Sequence, residues 1–269
     1  MTLFDQTRLD SDIRQLRAVI ASLDQVVVAF SGGADSALLA YVANEVLGSE
    51  NVRVVTAVSP SLAGDELTDC QALADEWELN WHVVETDEMA NAAYRLNDTN
   101  RCFHCKDALM DELVPIAEAN AATIVLGVNL DDLDDHRPGQ QAALQHGSRF
   151  PFVEAGLDKA AVRAVSHHLG LRTWDKPAAA CLASRIPYGT QVSVGLLSKL
   201  DRAEAALHRL GFHSLRVRHY DDTARIEVPL DALSEMVKQR EAVVAAVQQA
   251  GYKYVTVDLE GLRSGNLNT

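Results

Sequence analysis

Several things are scarce in these 269 residues. No stretch approaches the roughly 18–20 continuous apolar residues that a membrane span needs, although 48% of the chain is hydrophobic. Positive charge is short: 24 Lys and Arg face 38 Asp and Glu, a formal net charge of −14. Nucleic acid is held by cations that neutralise phosphates. The acidic balance therefore argues against a nucleic-acid partner and is in keeping with a surface that serves solubility. Cysteine is limited to Cys70, Cys102, Cys105 and Cys181. The first residues, MTLFDQTRLDSDIRQLRAVIASLDQ, interleave acids with apolar residues and lack the apolar core of an export signal. They read as an amphipathic helix, and the expected compartment is cytoplasmic. There four cysteines point away from structural disulfides and toward metal binding or reactive thiols. No internal repeat and no low-complexity tract is present. No G-x-x-x-x-G-K-[ST] follows a strand and no G-x-G-x-x-G occurs, which excludes a Walker loop and leaves a dinucleotide fold unsupported.

What is present is alternation. QVVVAF (25–30), VRVVTAV (52–58), WHVVET (81–86) and TIVLGV (123–128) read as strands. Residues 35–47, 65–79, 105–120 and 158–170 have helical spacing, the third despite Pro115. Apolar strands alternating with helices imply an α/β fold with a doubly wound parallel sheet. After the loop KPAAACLASRIPYGT (176–190) the order changes to helix (194–210), strand (215–220), strand (224–228), helix (231–249) and strand (252–259). That is a smaller α+β unit. The expected domains are 1–185 and 186–269, with 171–190 as a hinge.

Chemistry is concentrated in three places. At residues 31–36, SGGADS stands between the first strand and the first helix after it. Glycines allow a tight turn and let backbone N–H groups approach an anion, and the helix start adds positive potential. Ser31 and Ser36 can donate hydroxyl hydrogen bonds, and Asp35 can hold magnesium. A second loop, GVNLDDLDDHRPG (127–139), follows the fourth strand, where open α/β sheets bind ligands. It carries Asp131, Asp132, Asp134 and Asp135, which suit either a metal or a solvated loop. Arg137-Pro138-Gly139 reads as a turn, with Arg137 a candidate anion contact. The third place is NRCFHCK (100–106). Cys102 and Cys105 lie within reach of one metal, and Cys181 stands in the proline-containing hinge. Three thiolates suit an iron–sulfur cluster with an open iron. Zinc with His104 or another His and a thioredoxin-like redox pair are alternatives. Cys70 falls inside a helix and reads as a small buried apolar residue.

SGGADS resembles the SGGxDS pyrophosphate loop of the adenine nucleotide α-hydrolase, or PP-loop, superfamily, whose members adenylate a substrate with ATP. GVNLDDLDDHRPG, KPAAACLASRIPYGT, LRVRHYDDTARIEVP (215–229) and GYKYVTVDLEGLRSGNLN (251–268) extend a resemblance to the LarE family over nearly the whole chain. That resemblance implies an ATP-dependent sulfur transferase. Its substrate would be pyridinium-3,5-biscarboxylic acid mononucleotide, converted to thiocarboxylates for the nickel-pincer nucleotide cofactor of lactate racemase. Some members sacrifice one cysteine; others use three to bind a [4Fe-4S] cluster, and C-x-x-C plus Cys181 matches the second pattern.

By the same resemblance, Ser31, Gly32, Gly33, Asp35, Ser36 and Gly127 bind ATP and Mg2+. Cys102, Cys105 and Cys181 ligate the cluster, and Lys106 neutralises phosphate or the acyl-adenylate. Ser184 and Arg185 hold the substrate phosphate. Arg216 and Arg218 alternate on one strand face, a pair suited to phosphate or carboxylate. Glu204, Glu227 and Glu235 bind metal or pair with those arginines. A homotrimer or homohexamer is implied, with no membrane and no nucleic acid. Competing readings are a PP-loop tRNA thiolation enzyme, a non-catalytic nucleotide-binding protein with structural zinc, and an amidating ligase like NAD synthetase.

Overall fold

The computed structural model describes residues 3–133, 138–177 and 180–263. In chain order the helices and strands are α1 (Leu3–Ala21), β1 (Val26–Ala29), α2 (Ala34–Leu47), β2 (Val52–Val58), α3 (Gly64–Glu76), β3 (Trp81–Glu85), α4 (Ala92–Leu96), α5 (Arg101–Ala119), β4 (Thr123–Val125), α6 (Pro138–Gln145), α7 (Pro151–Glu154), α8 (Lys159–His168), α9 (Val194–Arg209), β5 (Arg216–Tyr220), β6 (Thr223–Glu227), α10 (Leu233–Lys238), α11 (Arg240–Gln249) and β7 (Tyr254–Val257). Single 3-10 turns lie at Glu88–Ala90, Leu130–Asp132, Leu182–Arg185 and Leu230–Ala232. No helix among the described residues is long and apolar enough to cross a membrane.

The chain forms two units. The first takes the residues up to Ser59, then Glu66–Glu88, then the chain from Cys102 to the 177 end of its segment; the second takes Pro60–Asp65, Met89–Arg101 and the chain from Ala180 on. The first unit is a four-stranded parallel sheet in the order β3-β2-β1-β4. Strand side chains alternate between faces, and here both faces are covered. Val26, Val28 and Val54 pack with Leu16 of α1, Leu39 of α2 and Val162 of α8. Val27, Val55 and Ile124 pack on the opposite side with Met110 and Leu113 of α5. Burial on two faces explains the uninterrupted valines of β1, each contributing about 1.5–3 kcal/mol. The chain runs outward from β1 to β3 and then returns to place β4 on the other side of β1. The strand order therefore reverses between β1 and β4, and a crevice opens beyond their carboxyl ends.

The second unit contains the sheet β5-β6-β7, antiparallel between β5 and β6 and parallel between β6 and β7. The hairpin turns at Asp221, whose φ of 51° is left-handed, a region aspartate tolerates. Ser193 caps α9 by accepting the Leu196 amide at 3.2 Å. Leu197, Leu200, Ala203 and Leu207 form the buried stripe of that helix, at the three- and four-residue spacing of a core-facing helix.

Candidate active site

In the first unit the glycine loop sits at the reversal of strand order. Gly32 takes φ +67°, and a Cβ placed there would lie 2.9 Å from the Cys70 sulfur. Backbone conformation and space thus both require glycine. The serines close the loop on itself: the Ser31 amide donates to Ser36 Oγ at 3.2 Å, Ser36 Oγ donates to the Gly33 carbonyl at 3.2 Å, and the two hydroxyls are 3.1 Å apart. Gly33 is the N-cap of α2 and has no side chain to cap the helix. Left without a side-chain cap, the opening turn of α2 has backbone N–H groups that could hold an anion. Beneath the loop Cys70 is fully buried, and burial pushes its thiol up to about 11.

The loop after β4 meets this turn directly. A Cβ on Gly127 would lie 2.9 Å from backbone atoms of both Asp35 and Ser36, so a glycine is needed for the two segments to touch. Asn129 Nδ2 donates to Asp35 Oδ1 at 3.3 Å, and Lys159 of α8 forms a short ion pair with the other Asp35 oxygen. The acids of this loop hold backbone amides: Asp132 accepts the Asn129 amide at 3.1 Å and Asp131 the Lys159 amide at 3.1 Å. Asp134, Asp135 and Arg137 lie outside the described residues. Pro138 and Gly139 open α6 rather than finishing a turn, as proline's fixed φ suits a first helical position.

Lys176 reaches the same loop. Its ammonium donates to the Gly32 carbonyl at 3.2 Å, to Glu66 at 2.9 Å and to Asp69 at 2.6 Å. Arg172 also binds Asp69, at 2.8 Å, and Glu76 at 2.9 Å. Burial opposes charge on Lys176, but Asp69 and Glu66 outweigh it and raise its pKa. Asp69 is correspondingly lowered: burial alone would raise it, and Lys176 and Arg172 prevail.

The cysteine pair stands at the start of α5. Spacing placed this helix at 105–120; it begins at Arg101. Asp98 supplies the missing start: its side chain accepts the Asn100 amide at 2.8 Å and its carbonyl the Arg101 amide at 3.1 Å. Cys102 and Cys105 therefore share the first turn, where residues three apart lie on one face. Cys102 is exposed, Cys105 and Cys181 are partly so, and no disulfide joins them. Half-buried Lys106 follows, its pKa lowered by burial against the pull of the Cys105 and Cys102 sulfurs. Two accessible soft thiols on one helix face suit a thiophilic metal centre such as an iron–sulfur cluster or zinc. Among the described residues no group of three or more His, Cys, Asp or Glu side chains is arranged around a metal.

Cys181 belongs to the second unit, immediately before the Leu182–Arg185 turn. Arg185 is buried and grips Glu204 with two bonds of 3.0 Å, while its third nitrogen binds the carbonyls of Ala180 (2.5 Å) and Cys181 (3.3 Å) and the Ser184 hydroxyl (3.1 Å). Its guanidinium fixes the Cys181 backbone. Arg218 binds Glu227 at 3.0 Å and the Ser184 carbonyl at 2.9 Å. Glu227 also takes Arg225 at 3.1 Å, and Glu204 accepts the Val217 amide at 2.8 Å. Glu204 and Glu227 are thus arginine partners. Arg216 is half-buried with its pKa lowered, first by burial and then by Arg185 and Arg218, against the opposing pull of Glu227 and Glu204. Glu235 is exposed on α10 beside Lys238 and Gln239.

Residues missed in the sequence complete both assemblies. Lys159 is 124 residues from its partner Asp35 and Lys176 is 144 from Gly32, distances that leave no linear motif. Asn97, wholly buried with φ 56°, donates to the carbonyls of Ile186 (3.3 Å), Pro187 (2.9 Å) and Thr190 (2.9 Å) and accepts Arg101 at 2.6 Å. It pins the SRIPYGT segment.

Comparison with known proteins identifies the family of the chain. The family model for NAD synthase matches residues 11–114, the span carrying the glycine loop and the C-x-x-C. A short match, 31% over 75 residues and 28% of this chain, is to the NH(3)-dependent NAD(+) synthetase of Fusobacterium nucleatum, covering 29% of that protein. An uncharacterized protein of Synechocystis is 46% identical over 97% of this chain and 98% of its own length. The pyridinium-3,5-bisthiocarboxylic acid mononucleotide synthase of Lactiplantibacillus plantarum is 36% identical over 94% of this chain and 92% of its own. With near-complete coverage of that synthase and a glycine loop at the switch point of a parallel sheet, the chain belongs to the LarE family of PP-loop enzymes.

Proposed function

We propose that the protein is an ATP-dependent sulfur transferase that adenylates the carboxylates of pyridinium-3,5-biscarboxylic acid mononucleotide and converts them to thiocarboxylates. A substrate carboxylate oxygen attacks the α-phosphorus of ATP, and the bond to the β-phosphate bridge breaks. Pyrophosphate leaves into the turn formed by Ser31, Gly32, Gly33 and Ser36. Asp35 would hold magnesium there, Gly127 keeps the β4 loop against it, and Lys159 would pass from Asp35 to a phosphate oxygen. Such preorganised donors supply most of the acceleration of this step. Sulfide then attacks the acyl carbon, and AMP departs with the electrons of the C–O bond.

Cys102, Cys105 and Cys181 would hold a [4Fe-4S] cluster, whose chemistry when bound is to present sulfide. Lys106 would offset the charge of phosphate or of the acyl-adenylate beside the cysteines. Ser184 and Arg185 keep the Cys181 segment in place near the substrate phosphate, Arg216 would offer its guanidinium to that phosphate, and Arg218, held by Glu227 and the Ser184 carbonyl, would back it from the buried side. The product class suits a small-molecule route without nucleic acid or membrane, in a trimer or hexamer.

The observation that carries this reading is the Gly32–Gly33 turn opening α2 where the strand order reverses. The test is anaerobic purification followed by iron analysis, an absorption spectrum, and assay of AMP and pyrophosphate with the dicarboxylated pyridinium nucleotide. A brown, iron-containing protein that forms both products in equal amounts is expected. Absence of AMP sinks adenylation; repeated turnover by a colourless, iron-free protein sinks the sulfur source alone.

A further inference from the structure

The Lys176 ammonium is the meeting point of two carboxylates and the Gly32 carbonyl. We propose that Lys176 is a positioning residue for pyrophosphate: by holding the Gly32 carbonyl it fixes the orientation of the Gly32–Gly33 peptide. A trans peptide carries its C=O and N–H on opposite sides. A carbonyl anchored toward α3 therefore turns the Gly33 N–H the other way, as a donor for an anion. Gly32 needs such an anchor, because glycine rotates about φ and ψ with little resistance and its carbonyl could otherwise swing into the anion position. The anchor is itself held: Asp69 takes both Lys176 and Arg172, and Arg172 is tied to Glu76. The chain of charges runs Glu76–Arg172–Asp69–Lys176 along α3 and ends on the loop. The proposal rests on the nucleotide-binding part of the function above and deepens it.

Two variants separate positioning from simple charge. Lys176→Met removes the anchor and a cation. Asp69→Asn leaves the cation and removes a nearby anion. If Lys176 acted only through space, Asp69→Asn would tighten pyrophosphate binding; if it acts by holding the peptide, both variants weaken it. Calorimetry with inorganic pyrophosphate, MgATP and adenosine is the direct measurement. The loss of a charge-assisted hydrogen bond leads to an expected weakening of about tenfold for pyrophosphate and MgATP, with adenosine unchanged. Unaltered or tighter pyrophosphate binding in Asp69→Asn overturns the proposal. The NMR order parameter of the Gly33 amide in ligand-free protein gives a second readout, expected to fall in both variants; equal values in both variants and the parent overturn it also. If the parent itself binds no MgATP, the function fails, while the order parameter still decides whether Lys176 orders the peptide.

Discussion

At the residue scale, the site is governed by positions where one atom more or less matters. Gly32→Ala would combine a left-handed φ with a methyl pushed against a buried sulfur. A destabilisation of about 1–3 kcal/mol is expected from these effects, together with loss of ATP binding, measured by urea unfolding and by calorimetry. The Asp69 network has a pH signature whose sign follows from its shifts. Asp69 is lowered, so its contribution to stability is complete above its unfolded value of about 3.9 and is lost as pH falls through the depressed folded value. Lys176 is raised, so its share is complete below about 10.4 and is lost as pH climbs through the raised value. Asp69→Asn should lower the urea midpoint at pH 7 and leave it closer to the parent's at pH 2. Equal losses at both values would show that the carboxylate charge is not what matters.

At the element scale, periodicity revealed most of the framework. The run of valines in β1 and the helical spacing of α2 and α8 mark buried elements whose composition follows from their surroundings. Boundaries set by side-chain hydrogen bonds were not visible in that way. The start of α5 depends on Asp98, which moves both cysteines into a helix. The stretch expected as one helix over 231–249 is interrupted at Gln239, between α10 and α11. The glycine loop and the cysteine pair were legible because each is a local motif. Lys159, Lys176 and Asn97 were not, because their partners are remote in sequence. Asn97 carries an element-scale prediction: Asn97→Ala removes the partner of three carbonyls and of Arg101 at a buried position. About 2–4 kcal/mol of stability should be lost, read from denaturant midpoints. Asn97→Gly should lose a similar amount despite relieving the positive φ, since the hydrogen bonds dominate.

At the scale of the whole molecule, charge and ligand linkage can be tested without mutation. With a net charge of −14, the protein should retain no tRNA on filters at physiological salt, where phosphate contacts by Lys and Arg are what hold nucleic acid. Retention at that salt would favour a tRNA-thiolating role. MgATP at a hundred times its dissociation constant should add about 2.7 kcal/mol to folding stability if it binds only the native chain, raising Tm in a concentration-dependent way. An unchanged Tm across that range would contradict nucleotide binding.

Cys70 lies under Gly32, sealed from solvent, while the other three sulfurs are at least partly accessible. A small alkylating reagent applied to the metal-free native chain should consume three thiols quickly and the fourth only when the floor of the nucleotide loop breathes. The slow fourth reaction is a stopwatch for that opening, and occupancy of the loop by pyrophosphate should make it run slower still.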